Sequence, residues 1–358
     1  MAEETARRAR VERLLGAARQ LADPRAAEGR RLRVHLLETS GLSAPNIELG
    51  LARCLETDPD NWQLDRLLAS TPSAPRAHVL LSSNVFVAAL RAIAIGVAAS
   101  ADVAVRASRR DPALAQALHR LAPELFQLED TLSPAPGDHL WAYGSDQTLA
   151  DLRASLPRGV WFHGHGFGFG AVAVEASTWV MADARAIALD TALFDRQGCL
   201  SPHVVCVAGN GSQTREVAEA IAAQLALLEH ELPAGPKSPA ELARARRDRD
   251  AARYAFELFD AGSGWVSFAA ELVVPPVGRN LHVVSTADPC RNLVPFTRHL
   301  TCVATNDAAL RERLAATFPD ARLTRPGQMQ RPSLDGPVDR RRSPRGERLS
   351  AELAADRD

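Results

Sequence analysis

Cys199 follows a glycine in Leu193-Phe-Asp-Arg-Gln-Gly-Cys-Leu-Ser-Pro202, and a thiol in that setting can serve as a nucleophile. The stretch before it, residues 179–193, mixes small and apolar residues at helical intervals. The stretch after it, Val204-Val-Cys-Val-Ala208, is a short apolar run between Pro202 and Gly209 and reads as a buried strand. A thiol on the turn feeding such a strand is held rigidly yet can face a cleft. Thiolate attack needs that combination of access and an environment favouring the anion. The plain alternative is a small apolar residue filling a gap.

Other residues have chemistry to offer at the ends of predicted strands. Asn84 follows His78-Val-Leu-Leu81, where an amide could donate to a developing oxyanion or could cap the next helix. Arg106 ends the strand Val103-Ala-Val105, with Ser108 two residues on. A cation and a hydroxyl there suit the ribose of a dinucleotide, or are exposed surface beside Arg109 and Arg110. Phe162-His-Gly-His-Gly-Phe-Gly-Phe-Gly170 supplies Gly164 and Gly166, which allow close approach of backbone to a cofactor or make a tight turn. The G-x-G-x-x-G spacing is absent, as are the lipase-type G-x-S-x-G and a phosphate-loop lysine after Gly209-Asn-Gly-Ser212. That last segment reads as a strand-to-helix turn capped by Ser212. His163 and His165 have no carboxylate at ligand spacing, so no metal is expected. Glu175, Asp183, Asp190 and Asp195 lie between the glycine turn and Cys199 and read as surface charges, any of which could instead be a base.

Strands and helices must position these groups. With 358 residues, 46% hydrophobic and 24% charged, the chain can bury two cores. A net charge of -1 gives no general attraction to nucleic acid or anionic membrane. Five scattered cysteines without a CxxC pair argue against disulfides and structural zinc. Met1 to Gln20 lacks the apolar core of a secretory signal, and Val85 to Ala101 is broken by Arg91. A cytoplasmic protein without a membrane span is the expectation. The first 75 residues read as helical, and strands then alternate with helices, which implies βαβ units and a mostly parallel sheet. Glu271 to Val277 and Leu281 to Ser285 read as strands.

Taken in order, Ser82-Ser-Asn84, Val103-Ala-Val-Arg-Ala-Ser108, the glycine turn and Gln197-Gly-Cys199 resemble the aldehyde dehydrogenase superfamily. The chain is more similar still to its acyl-CoA reductase branch, the LuxC-like fatty acyl reductases. That similarity rests on Leu42-Ser-Ala-Pro-Asn-Ile-Glu-Leu-Gly50, Ser108-Arg-Arg-Asp-Pro112, Tyr143-Gly-Ser-Asp-Gln-Thr148 and Phe194 to Pro202. Gly327-Gln-Met-Gln-Arg-Pro332 and Leu334-Asp-Gly-Pro337 complete it.

The resemblance implies an α/β fold, aldehyde-dehydrogenase-like, with two Rossmann-like parallel-sheet domains and a cleft between them. Pattern and resemblance together divide the chain into a helical segment (1–75), a nicotinamide cofactor domain (76–185), a catalytic domain (186–325), an arm (326–340) and, by its charged composition, a disordered tail (341–358). Cys199 would be the nucleophile and Asn84 the oxyanion donor. Arg106, Ser108, Gly164 and Gly166 would contact NADPH, with NADH as the other option. The implied activity is reduction of an acyl-CoA or acyl-carrier thioester to an aldehyde, in a homo-oligomer that could take its acyl group from a transferase or ligase partner. No carboxylate matches the base that hydrolyses the acyl-enzyme in ordinary aldehyde dehydrogenases. Two alternatives stay open: such a hydrolytic dehydrogenase, and a non-catalytic descendant serving as a partner subunit.

Overall fold

The computed structural model describes residues 2–83 and 85–350. Four helices open the chain: α1 (Ala2–Ala22), α2 (Ala27–Thr39), α3 (Ala44–Arg53) and α4 (Asn61–Ser70). Then follow β1 (Ala77–Leu80), α5 (Ala88–Ala99), β2 (Val103–Arg106), α6 (Ala113–Leu121) and β3 (Gln127–Leu128). After β4 (His139–Tyr143), α7 (Asp146–Ser155) and β5 (Trp161–His165), the chain enters β6 (Phe169–Glu175) and α8 (Met181–Ala192). The sequence continues with β7 (Pro202–Ala208), α9 (Gly211–Glu231), α10 (Pro239–Ala255), β8 (Glu257–Ala261), β9 (Gly264–Ala269) and β10 (Asn280–Thr286). It closes with α11 (Pro289–Leu293), β11 (Leu300–Ala304), α12 (Ala308–Thr317), β12 (Arg322–Thr324) and β13 (Glu347–Arg348).

Two compact units result. Unit 1 holds residues 1–40, 51–167 and 333–358, and unit 2 holds 41–50 and 168–332. Each is built on one sheet, ordered β13-β5-β4-β1-β2-β3 in the first and β12-β11-β6-β7-β10-β9-β8 in the second. Pairing is parallel in both except at β13–β5 and β8–β9. The expected pair of parallel-sheet domains is therefore present.

In unit 1, α5 packs on the sheet through Gly96, whose missing side chain leaves room for Val79 and Val103. The opposite face of β4 and β5 buries Leu140, Ala142 and Phe162 with Leu149 of α7. In unit 2 the apolar run of β7 lies between β6 and β10, and Val204 and Cys206 join a core with Phe169, Leu300 and Leu310. α9 starts from a capping box in which Asn210, not Ser212, accepts from the Gln213 amide.

Several boundaries differ from the sequence reading. The break between units falls at 167/168 rather than 185, because β6 pairs with β7 and β11. Residues 271–277 form no strand; Pro275 and Pro276 lack the amides a ladder needs, and β9, which pairs with β10, lies earlier. Residues 341–350 are not a featureless tail. Glu347 and Arg348 pair with Phe162 and Trp161, and Arg341 donates to the Phe167 carbonyl. Residues 351–358 lie outside the described residues.

Candidate active site

Unit 2 presents Cys199 on a turn whose backbone is strained. After α8 the chain enters left-handed conformation at three consecutive residues with side chains, Phe194 (φ 54°), Asp195 (φ 50°) and Arg196 (φ 57°). Each costs about 1–2 kcal/mol for an L-residue, so the conformation persists only where its surroundings over-determine it. Three clamps do so. The buried amide of Asn46 donates to the Ala192 carbonyl at 3.0 Å and accepts from the Phe194 N–H at 2.9 Å. The Asp195 carboxylate accepts from the Gly235 N–H and from Arg279 Nε, both at 2.9 Å. The fully buried Arg196 guanidinium donates to the carbonyls of Gly278, Pro276 and Pro275. Burial pulls its pKa down to about 9.

Beyond the clamps the chain turns through Gly198, whose carbonyl accepts from the Ser201 N–H at 3.1 Å, and enters β7. Thr301 Oγ1 donates to the Cys199 carbonyl, and the Gly170 N–H donates to the Ser201 carbonyl at 2.9 Å. Gly170 has no room for a side chain, since a Cβ would overlap the Leu200 carbonyl and the Met329 methyl. Gln330 Nε2 donates to Ser201 Oγ at 2.8 Å, and Asp190 accepts from the Gly327 and Met329 amides. Three sequence blocks more than a hundred residues apart, 42–50, 194–202 and 327–332, thus meet around one turn. The thiol they carry lies at the amino ends of β6, β7 and β11, opposite to the strand end at which α/β sheets usually bind ligands.

Among the five cysteines Cys199 alone is half-buried; the others are buried. Burial pushes the Cys206 thiol up to about 12 and raises Cys302 and Cys290 as well. Only Cys199 combines access with a fixed backbone.

Three of the four carboxylates, Asp183, Asp190 and Asp195, are buried rather than surface charges. Asp183 is buried, caps α8 at the Val180 N–H and accepts from Asn306. Asp190 and Asp195 are buried and occupied as above. Glu175 ends β6 at the far edge of the sheet, about 20 Å from its amino end at 3.3 Å per residue. His203, four residues past Cys199, is buried against Phe169; burial and Arg196 lower its pKa to about 2. It is a poor proton acceptor.

The remaining candidates belong to unit 1. Asn84 lies outside the described residues. Arg106, half-buried at the carboxyl end of β2, aligns with Leu80, Ala142 and Gly164 in one row across β2, β1, β4 and β5. Among the described residues it has no ion-pair partner. Ser108 Oγ accepts from the Arg110 N–H at 3.2 Å. Gly164 and Gly166 have packing reasons of their own. The Phe162 ring takes the space at Gly164, and the Asp146 carboxylate, which accepts from the Phe167 N–H at 2.9 Å, takes that at Gly166. Among the described residues no group of three or more His, Cys, Asp or Glu could hold a metal, and no helix is long and apolar enough to cross a membrane.

Residues 125–336 match the acyl-CoA reductase (LuxC) family. The chain belongs to that family. This match spans the Cys199 turn and most of unit 2, and family membership supports an oxidoreductase working at the aldehyde level. Solved structures share the fold at low identity. They include PnpE from Pseudomonas sp. WBC-3 (12% identity, TM-score 0.69, covering 90% of this chain and 77% of that one). An oxidoreductase from Marinobacter aquaeolei gives 11% identity and TM-score 0.67, covering 90% and 80%. A NAD-dependent benzaldehyde dehydrogenase from Corynebacterium glutamicum gives 12% and 0.65, covering 89% and 81%. The acyl-CoA reductase fold here is accordingly that of the aldehyde dehydrogenases. No curated protein matches the chain.

Asn46, Arg196, Arg279 and Gln330 were absent from the residues picked by chemistry. Asn46, Arg196 and Gln330 lie inside the blocks that carry the family resemblance, which is the signal that could have found them.

Proposed function

We propose that the protein reduces an acyl-CoA or acyl-carrier thioester to the aldehyde through an acyl-enzyme on Cys199. The observation that carries this reading is the accessible thiol on a turn clamped by Asn46, Asp195 and Arg196. In the first half-reaction the Cys199 thiolate attacks the thioester carbonyl, the carbon–sulfur bond to the carrier breaks, and the carrier leaves as its thiolate. Asn84 and the Cys199 backbone amide are the proposed donors to the oxyanion, each worth about 2.7–4 kcal/mol. A reduced nicotinamide, when bound, supplies the hydride that takes the acyl carbon to the aldehyde level. Arg106 and Ser108 are proposed to hold its ribose end; Arg106, at the carboxyl edge and unpaired among the described residues, fits an anionic or hydroxylated group there. NADPH is the preferred donor, since a guanidinium also suits a 2′-phosphate. Collapse of the resulting hemithioacetal releases the aldehyde and regenerates the thiolate.

The engaged state of Asp183, Asp190 and Asp195 favours thiol exchange over hydrolysis, which requires a base to activate water. The test is thioester-dependent loss of reduced-nicotinamide absorbance with a panel of acyl-CoAs, for the wild type and Cys199→Ala. Activity in the wild type that falls to background in the variant supports the proposal. Equal rates in both, or oxidation of free aldehyde to acid without a thiol acceptor, would overturn it.

A further inference from the structure

Unit 2 contains a cavity of about 340 Å³ lined by residues of α10, β9, the 234–237 segment and the 277–280 loop. It exists because of what α10 cannot do. Eight of the seventeen residues of that helix are charged and only Ala252 is buried, so it has no apolar stripe with which to seat itself on the sheet. Its start is nevertheless fixed, by Ser238 and Glu241 capping each other's backbone. A space is left beneath, and its size suits a small metabolite.

The lining is cationic. Lys237, Arg246 and Arg249 are among the lining residues, and no Asp or Glu is. Lys237 is the single lysine of the chain, against 41 arginines. Arg249 donates to the Gly262 and Gly264 carbonyls and faces Asp260 at 3.4 Å. Lys237 and Arg246 have no ion-pair partner among the described residues. The other nearby acids are taken: Asp195 by Arg279 and the Gly235 N–H, Glu229 by Ser263 and the Ala234 N–H. Leu242, Val277 and Trp265 add an apolar side. The walls are held in advance, since Gly235 hangs on Asp195 and Gly278 on Arg196. Two cations without an ion-pair partner among the described residues, Lys237 and Arg246, raise the potential of a pre-formed space, and an anion entering it pays little ordering cost.

We propose that this cavity binds a phosphorylated small molecule, with Lys237 and Arg246 as the phosphate contacts. The proposal does not depend on the thioester chemistry at Cys199. It is tested by calorimetric titration of the full-length protein with inorganic pyrophosphate. The expected result is one site per chain, weakened by added salt and about tenfold or more by Lys237→Glu combined with Arg246→Glu. Neither side chain has an ion-pair partner to lose among the described residues, and circular dichroism verifies that the double variant folds. Cys199→Ala is expected to bind as the wild type does, so failure of the proposed reaction leaves this measurement intact. Competition by coenzyme A would identify the phosphates as those of the thioester carrier; pyrophosphate binding without competition would identify a separate phosphorylated metabolite. Absence of binding, or equal binding by the double variant, overturns the proposal.

Discussion

In unit 2 the chain turns left-handed through Phe194, Asp195 and Arg196 without a glycine, while in unit 1 the end of β5 and the turn it enters carry Gly164 and Gly166 with no positive φ at either. The two turns use opposite means. At 194–196 the side chains hold the strain: Asp195 and Arg196 are both the strained residues and the groups that anchor them. At 164–166 glycine answers crowding, from the Phe162 ring and the Asp146 carboxylate. A glycine-rich segment is therefore a poor guide to backbone strain here, and a segment of ordinary residues conceals it.

The largest test of this contrast is Asp195→Ala. It leaves Arg279, which is 2% exposed, facing Glu229 at 3.3 Å as its remaining carboxylate, and it leaves the Gly235 N–H without an acceptor. Removing one partner of a buried pair costs about 3–5 kcal/mol, which urea denaturation would register. Arg279→Met added to Asp195→Ala should recover part of that loss. A change below about 1 kcal/mol would mean the left-handed turn is held without its carboxylate, and the contrast would fail.

The same contrast explains what the sequence made legible. Alternation of apolar runs with helical periods located both sheets, because those signals are local. Asp183, Asp190 and Asp195 read as surface charges because each has a partner far along the chain; Asn306 is 123 residues from Asp183 and Arg279 is 84 from Asp195. The Asn46 clamp spans 148 residues to Phe194, and no spacing rule reaches that distance. The arginine-rich segment from Asp339 looked unstructured by composition, yet it lies on the β5 face that carries His163 and His165. Gly346, at φ 76°, lies against the His163 ring, and buried Arg91 of α5 donates to the Ser333 and Gly336 carbonyls.

That face makes the unit 1 turn sensitive to acid. His163 stacks on Trp141 with ring centres 4.3 Å apart, and its Nε2 lies 2.9 Å from His139 Nδ1. Burial first, then the neighbouring His139 and His165, hold its pKa near 3, against 6.5 unfolded. The ordinary imidazole of the unfolded chain takes up a proton that the folded one refuses. Stability is thus full above pH 6.5 and falls as the pH drops towards 3, by up to about 1.4 kcal/mol per unit for this group. His139 and, in unit 2, His203 shift in the same sense. Asp339 also faces this cluster; burial raises its carboxyl, but His165, 3.9 Å away, and Arg341 more than offset that and hold it below the usual range. Stability measured against pH should therefore slope less steeply in His163→Gln below pH 6.5. Identical slopes would remove His163 from the account of the acid response.

Gln330→Ala is the smallest and most local probe. It removes the 2.8 Å bond to Ser201 Oγ and a longer one to the Asp190 carbonyl, leaving the left-handed residues and their three clamps untouched. One buried side-chain hydrogen bond is worth about 1 kcal/mol, and the hydroxyl left unpaired adds to the loss. Stability should fall by about that much. Alkylation of Cys199 by iodoacetamide should change with it, because Ser201 shares the turn with the thiol through the Gly198 carbonyl. If stability falls and the alkylation rate does not move, the 327–332 block supports β7 alone, and the thiol is positioned entirely by the clamps upstream of it.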